Sequence, residues 1–175
     1  QLPDRFLRAV CLNELGLVLP ARGDYGVGMV FMPRDPERQA DVRAHFAAII
    51  AEEGQQLLGW RRVPTNAGSL GDTARASQPV VMMLFIGRAH YSGLNFERKL
   101  YKIRRRVANA VANVERLHSE EFYIVSLSAR TIIYKGMLTP QQVEGFYPDL
   151  SDPRMASAIA MVHSRFSTNT FPNWA

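Results

Sequence analysis

At 175 residues, 47% hydrophobic and 21% charged, the chain has the length and balance of one globular domain able to bury a sizeable core. No stretch reaches the ~20 consecutive apolar residues of a membrane-spanning helix, and no secretory leader is expected at its start. The single cysteine excludes an intramolecular disulfide, and four scattered histidines offer no zinc spacing. A reducing, cytoplasmic setting fits that usage. The net charge of +5 raises the question of nucleic acid. The positive residues gather at Arg98, Lys99, Lys102 and Arg104–Arg106; a nucleic-acid surface would interleave aromatics with that charge, and the aromatics here are expected on apolar faces. A solvated or inter-domain face is the expectation there.

Asp4 to Leu15 reads as an amphipathic helix with Phe6, Leu7, Val10 and Cys11 on one side, which makes Cys11 a small core filler. A reactive thiol needs an electropositive, accessible setting, and nothing adjacent supplies one. Tyr25–Met32 reads as a strand; its glycines do not open a helix, so it is no dinucleotide loop. Asp35-Pro36-Glu37 starts a second helix with a cap, a proline in the first turn and an early acid, and Gly54 ends it. His45 is expected on that helix's exposed side. Leu57–Val63 reads as a short strand anchored by Trp60, and residues 64–78 as a polar loop.

The unbroken apolar run from Pro79 to Gly87 predicts a strand buried on both faces. Asn95–Glu115 is the longest helix, with a stripe through Phe96, Leu100, Ile103, Val107, Val111 and Val114. Phe122–Leu127 and Thr131–Tyr134 are expected as paired strands joined by a turn near Ser128-Ala129. Thr139-Pro140 starts a short helix, Tyr147–Pro153 is a turn region, and Met155–Val162 is expected as a final strand. The order lacks strict βαβ alternation and predicts an α+β layered fold with antiparallel pairing.

That final strand is followed by His163-Ser-Arg-Phe-Ser-Thr-Asn-Thr-Phe-Pro-Asn-Trp174, which gathers an arginine, hydroxyl residues and two asparagines. A planar guanidinium binds a carboxylate through two parallel hydrogen bonds, so such a cluster suits a small zwitterion. The segment closely resembles the glutamine-site segment of the class II amidotransferase domain of glutamate synthases. Tyr25–Met29, Leu58–Arg61, Phe96–Tyr101, Phe122–Ser128, Arg130–Met137 and Phe146–Leu150 resemble the same family in the same order.

The resemblance implies a four-layer αββα sandwich of the N-terminal-nucleophile hydrolase type. In that family a cysteine freed at the chain's own N-terminus attacks the side-chain amide of glutamine, with its α-amine as base. Ammonia then travels to a second site and reacts with 2-oxoglutarate, where FMN and an iron–sulfur cluster supply the electrons. Carried onto this sequence, Arg165 pairs with the α-carboxylate of glutamine and Thr168 bonds the same group. Phe166 stands where related amidotransferases often have tryptophan, and Ser167, Asn169 and Thr170 line or brace the pocket. His163 and Trp174 are expected to support the segment rather than to touch substrate. The implied partners are glutamine, the remaining domains of the same polypeptide and a small electron-transfer subunit, with no membrane and no nucleic acid.

The sequence begins Gln1-Leu2 whereas the family's catalytic domain begins with cysteine and glycine, and the family's Asn-Gly oxyanion pair does not occur within the segment. Residues 1–175 are therefore expected to be part of one such domain, without its nucleophile strand and oxyanion region, and inactive by themselves. No catalytic residue and no metal ligand is expected among them. Two other readings share the residues: a different amidotransferase of this class, and a non-catalytic module that binds an amino acid or an anion.

Overall fold

The structure, a computed structural model, describes residues 1–89, 93–117, 121–164 and 173–174. Four strands form one antiparallel sheet in the order β2-β3-β1-β4: β1 is Tyr25–Met32, β2 Gln56–Arg62, β3 Val80–Gly87 and β4 Tyr123–Ser128. The central pair β1 and β3 is buried on both faces, as the unbroken apolar run in β3 requires.

Alternation along the strands sorts their side chains into two cores. Val30 and Met32 of β1 join Met82, Leu84 and Ile86 of β3 on one face. Helices α2 (Pro36–Glu52) and α4 (Leu94–Ala112) cover that face with Val42, Phe46 and Ile50, and with Phe96, Leu100, Ile103 and Val107. Val27, Met29, Phe31, Met83 and Phe85 point to the other face. There they meet Phe6, Leu7, Val10 and Cys11 of α1 (Asp4–Leu15) and Phe146 of α5 (Pro140–Phe146). Helix α4 comes so close to the sheet that a Cβ on Gly26 would lie 2.5 Å from Leu100 Cδ1.

Local chemistry sets the helix ends. The Asp35 carboxylate accepts from the Glu37 and Arg38 backbone N–H groups at 2.7 and 3.2 Å, capping α2 as its sequence suggests. Gly16, at φ 63°, ends α1 in the left-handed conformation that suits glycine. His45 is half-buried rather than exposed. The expected loop at 64–78 holds a 3₁₀ turn at Ala67–Ser69 and the short helix α3, Asp72–Ala76, and further 3₁₀ turns span Glu115–Leu117 and Pro148–Ser151.

Two expected strands are corrected. Thr131–Tyr134 follows β4 but forms no ladder with it. Hydroxyls take over the role of backbone carbonyls instead: Ser128 Oγ accepts from the N–H groups of Arg130 and Thr131 at 3.0 and 3.2 Å, and Ser126 Oγ from that of Ile133 at 3.3 Å. Such local side-chain acceptors compete with strand pairing. Met155–Val162 also forms no strand, and Ile159, Met161 and Val162 are 79%, 92% and 86% exposed. Alanines at 156, 158 and 160 give that run weak strand propensity. Among the described residues there is one sheet, so the architecture is a mixed helix and antiparallel-sheet layering without the second sheet of a four-layer sandwich.

Candidate functional site

Arg165, Phe166, Ser167, Thr168 and Asn169, together with Thr170, lie outside the described residues. Their two flanks are described and differ sharply. On the N-terminal side, Ala156 to Ser164, His163 included, is exposed. On the C-terminal side, Trp174 is 3% exposed and sits in the α1/α5 core. Its ring meets Phe31 edge-on at 6.0 Å and Phe146 at 5.5 Å, and its Nε1–H donates to the Ala74 carbonyl at 3.1 Å. A Cβ on Gly136 would lie 2.7 Å from the Trp174 ring, so that glycine makes room for the indole. Trp174 is the packing anchor expected of it, and it ties the end of the candidate site segment to β1, α3 and α5.

The surface that receives Trp174 is held by a buried ion pair. Arg61 and Asp149 have side chains 3% and 4% exposed and form two parallel hydrogen bonds, Nη1–Oδ2 at 2.7 Å and Nη2–Oδ1 at 2.9 Å. Glu14 of α1 takes the other edge of the guanidinium at 2.8 and 2.9 Å, and the Tyr134 hydroxyl donates to Asp149 at 3.1 Å. Burial would lower the Arg61 pKa, but the hydrogen bonds to Asp149 and Glu14 outweigh it and raise it. The Tyr147 hydroxyl donates to the Lys135 carbonyl at 2.7 Å, which fixes the irregular segment beside Gly136. One cluster thus joins α1, β2, the segment after β4 and the turn after α5.

The blocks Leu58–Arg61, Arg130–Met137 and Phe146–Leu150, far apart in sequence, meet at this cluster. Sequence reasoning picked out all three without assigning Arg61 or Asp149 a role. The available signal was an arginine at the end of the apolar stretch Leu57-Leu58-Gly59-Trp60, where a charge needs a partner. Glu97 links another two blocks: its carboxylate accepts from the Ser128 hydroxyl and from the Ala129 N–H at 2.9 Å.

A second charged cluster lies on the opposite face. Glu53, 4% exposed at the end of α2, accepts from Lys99 at 2.9 Å, Lys102 at 2.9 Å and Arg106 at 2.8 Å. Burial would raise its carboxyl, but hydrogen bonds from the three cations reverse that and hold it at about 2. Part of the basic helix therefore faces inward, clamping α4 to α2. Arg104 donates to the Ile124 carbonyl at 2.9 Å and fastens α4 to β4.

Cys11 is fully buried, and its thiol is pushed up to about 12, burial outweighing the nearby Arg61 charge. It is a core filler and cannot supply a thiolate nucleophile near neutral pH. No group of three or more His, Cys, Asp or Glu side chains among the described residues could hold a metal ion. No described helix is long and apolar enough to cross a membrane.

The family description "Glutamine amidotransferases class-II" matches residues 1–175. The chain is 47% identical to the glutamate synthase [NADPH] large chain of Bacillus subtilis over 99% of its own length and 11% of that protein's. It is 44% identical to the glutamate synthase [NADPH] large chain of Azospirillum brasilense, over 85% of this chain and 10% of that one. Against the chloroplastic ferredoxin-dependent glutamate synthase of Oryza sativa subsp. japonica it is 37% identical, over 93% and 10%. The chain thus spans about a tenth of the length of the relatives it matches. Among solved structures, the C-terminal domain of the Mycobacterium tuberculosis MgtC protein aligns with 50% of this chain at 18% identity and a TM-score of 0.30. With the family match running from Gln1 to Ala175, the chain belongs to the class II glutamine amidotransferases.

Proposed function

We propose that residues 1–175 are part of the glutaminase domain of a glutamate synthase, and that they supply its grip on glutamine. The parent enzyme releases ammonia from the glutamine side chain and delivers it to 2-oxoglutarate for reductive glutamate synthesis. The observation that carries this reading is the 47% identity to a glutamate synthase large chain across 99% of this chain. In it, Arg165 forms two parallel hydrogen bonds with the glutamine α-carboxylate and Thr168 donates a third. Phe166, Ser167 and Asn169 shape the pocket. Trp174 supports it by fixing the end of the segment in the core.

The attacking thiolate comes from outside these residues, because Cys11 is buried and protonated. That nucleophile adds to the amide carbon, ammonia leaves, and water cleaves the thioester to give glutamate. Residues 1–175 then form one part of a four-layer αββα sandwich. The exposed Ile159, Met161 and Val162 support this reading, since three large apolar side chains close together on an irregular segment call for cover. The iron–sulfur cluster of the parent takes its ligands from elsewhere in the polypeptide, since a cluster needs several thiolates and this chain has one cysteine. The remaining domains, a small electron-transfer subunit and the cytoplasm complete the proposed setting.

Arg165→Ala in the complete enzyme tests the central assignment. A charge-assisted hydrogen bond is worth ~1.5–3 kcal/mol, so the KM for glutamine should rise roughly tenfold to 150-fold. The KM for 2-oxoglutarate and synthesis driven by added ammonia should be preserved. An unchanged glutamine KM rejects the carboxylate role.

A further inference from the structure

The outward face of α4 carries a stripe whose large side chains neither the fold nor the glutamine site uses; only the half-buried Ala108 also touches the core. Leu94, Arg98, Tyr101, Arg105, Ala108 and Ala112 follow one another in alternating steps of four and three residues. That is the spacing at which one helix packs along another. Leu94 and Tyr101 are 54% and 63% exposed, unusual for large apolar side chains on a helix whose inner face is already filled. Arg98 and Arg105 are exposed, and neither has a carboxylate partner among the described residues. The neighbouring cations are spoken for, with Lys99, Lys102 and Arg106 on Glu53 and Arg104 on the β4 backbone. Beside the stripe an open groove of about 700 Å³ runs between α4 and the edge strand β4, lined in part by Tyr101, Arg105, Ala108, Phe122 and Ile124.

We infer that this stripe and groove dock an acidic helix from the part of the same polypeptide that lies outside residues 1–175. Apolar positions and guanidinium groups alternate along the stripe, so the fitting surface has apolar residues at matching spacing and carboxylates opposite Arg98 and Arg105. Small Ala108 and Ala112 let a second helix backbone approach at that end of α4. The matched region is 11% of the Bacillus subtilis relative's length, which leaves ample polypeptide to provide the occupant. Docking here lies on the far side of the sheet from Trp174. The inference rests on the chain being part of a larger polypeptide and not on the assignment of Arg165.

The test uses the intact native protein, whose mass reports separately on whether further polypeptide exists. Hydroxyl-radical labelling should modify Tyr101 several-fold more slowly than its exposure in residues 1–175 dictates. Charge reversal in the R98E/R105E variant should raise that rate by roughly tenfold, because like charges across a desolvated contact undo docking. In an Arg105→Lys variant, carbodiimide should join the new amine to an Asp or Glu outside residues 1–175. Labelling of Tyr101 at the rate of a free tyrosine overturns the proposal. So does a cross-link that joins two copies of this region, which would make the stripe a self-association surface instead.

Discussion

Asp149 ties strand β2 to the segment after β4 through Arg61 and Tyr134. It is buried and acidic, and it completes the hydrogen bonding of a buried arginine and of Tyr134. Asp149→Asn keeps the shape but removes the charge, leaving Arg61 with the half-exposed Glu14 as its sole carboxylate. Breaking one side of a buried pair typically costs about 3–5 kcal/mol, so that loss is expected in denaturant unfolding. An Arg61→Met/Asp149→Leu double variant should lose less, because no charge is then stranded. A loss below ~1 kcal/mol for Asp149→Asn would show that the pair is not desolvated as described. Gly136 matters for the opposite reason: its lack of a side chain lets the Trp174 indole settle on the segment that Asp149 and Tyr147 hold in place.

Between elements, charge does what apolar packing does not. Helices α2 and α4 share a filled core, yet their relative position is also set by the three cations on Glu53. The sign of the pH dependence follows from the carboxyl being held at about 2 against an ordinary value of 4.5. A depressed folded-state pKa contributes stability that is fully present above pH 4.5 and is lost as pH falls toward 2. Thermal melts of wild type and Glu53→Gln should therefore differ most above pH 4.5 and converge as pH approaches 2. Curves that stay parallel across that window would remove Glu53 as the acid-sensitive group. The hydroxyls of Ser126 and Ser128 act between elements as well, turning the chain away from β4 where a paired strand was expected.

For the molecule as a whole, two surfaces stand out as unfinished. One is the α4 stripe. The other is the exposed run holding Ile159, Met161 and Val162, which leads directly into the candidate site segment. If a second sheet covers that run in the complete enzyme, Met161 should be oxidised by peroxide far more slowly there than an exposed methionine. Oxidation at the free rate would mean that the run stays uncovered and would count against the four-layer sandwich.

Much of this architecture is legible one residue at a time. The α1 and β1 limits, the α2 cap and the doubly buried β3 follow from periodicity, capping chemistry and unbroken apolar runs, all of which act over a few residues. Family membership was legible for a related reason, because the blocks that resemble glutamate synthases are contiguous strings. Contacts across long separations were not legible. Arg61 and Asp149 are 88 residues apart and Trp174 and Ala74 are 100, and nothing local says which charge or which carbonyl each will meet. The same holds for the two strands that did not form. A strand is half of a pair, and whether Thr131–Tyr134 or Met155–Val162 finds its other half depends on which acceptors the fold leaves facing it.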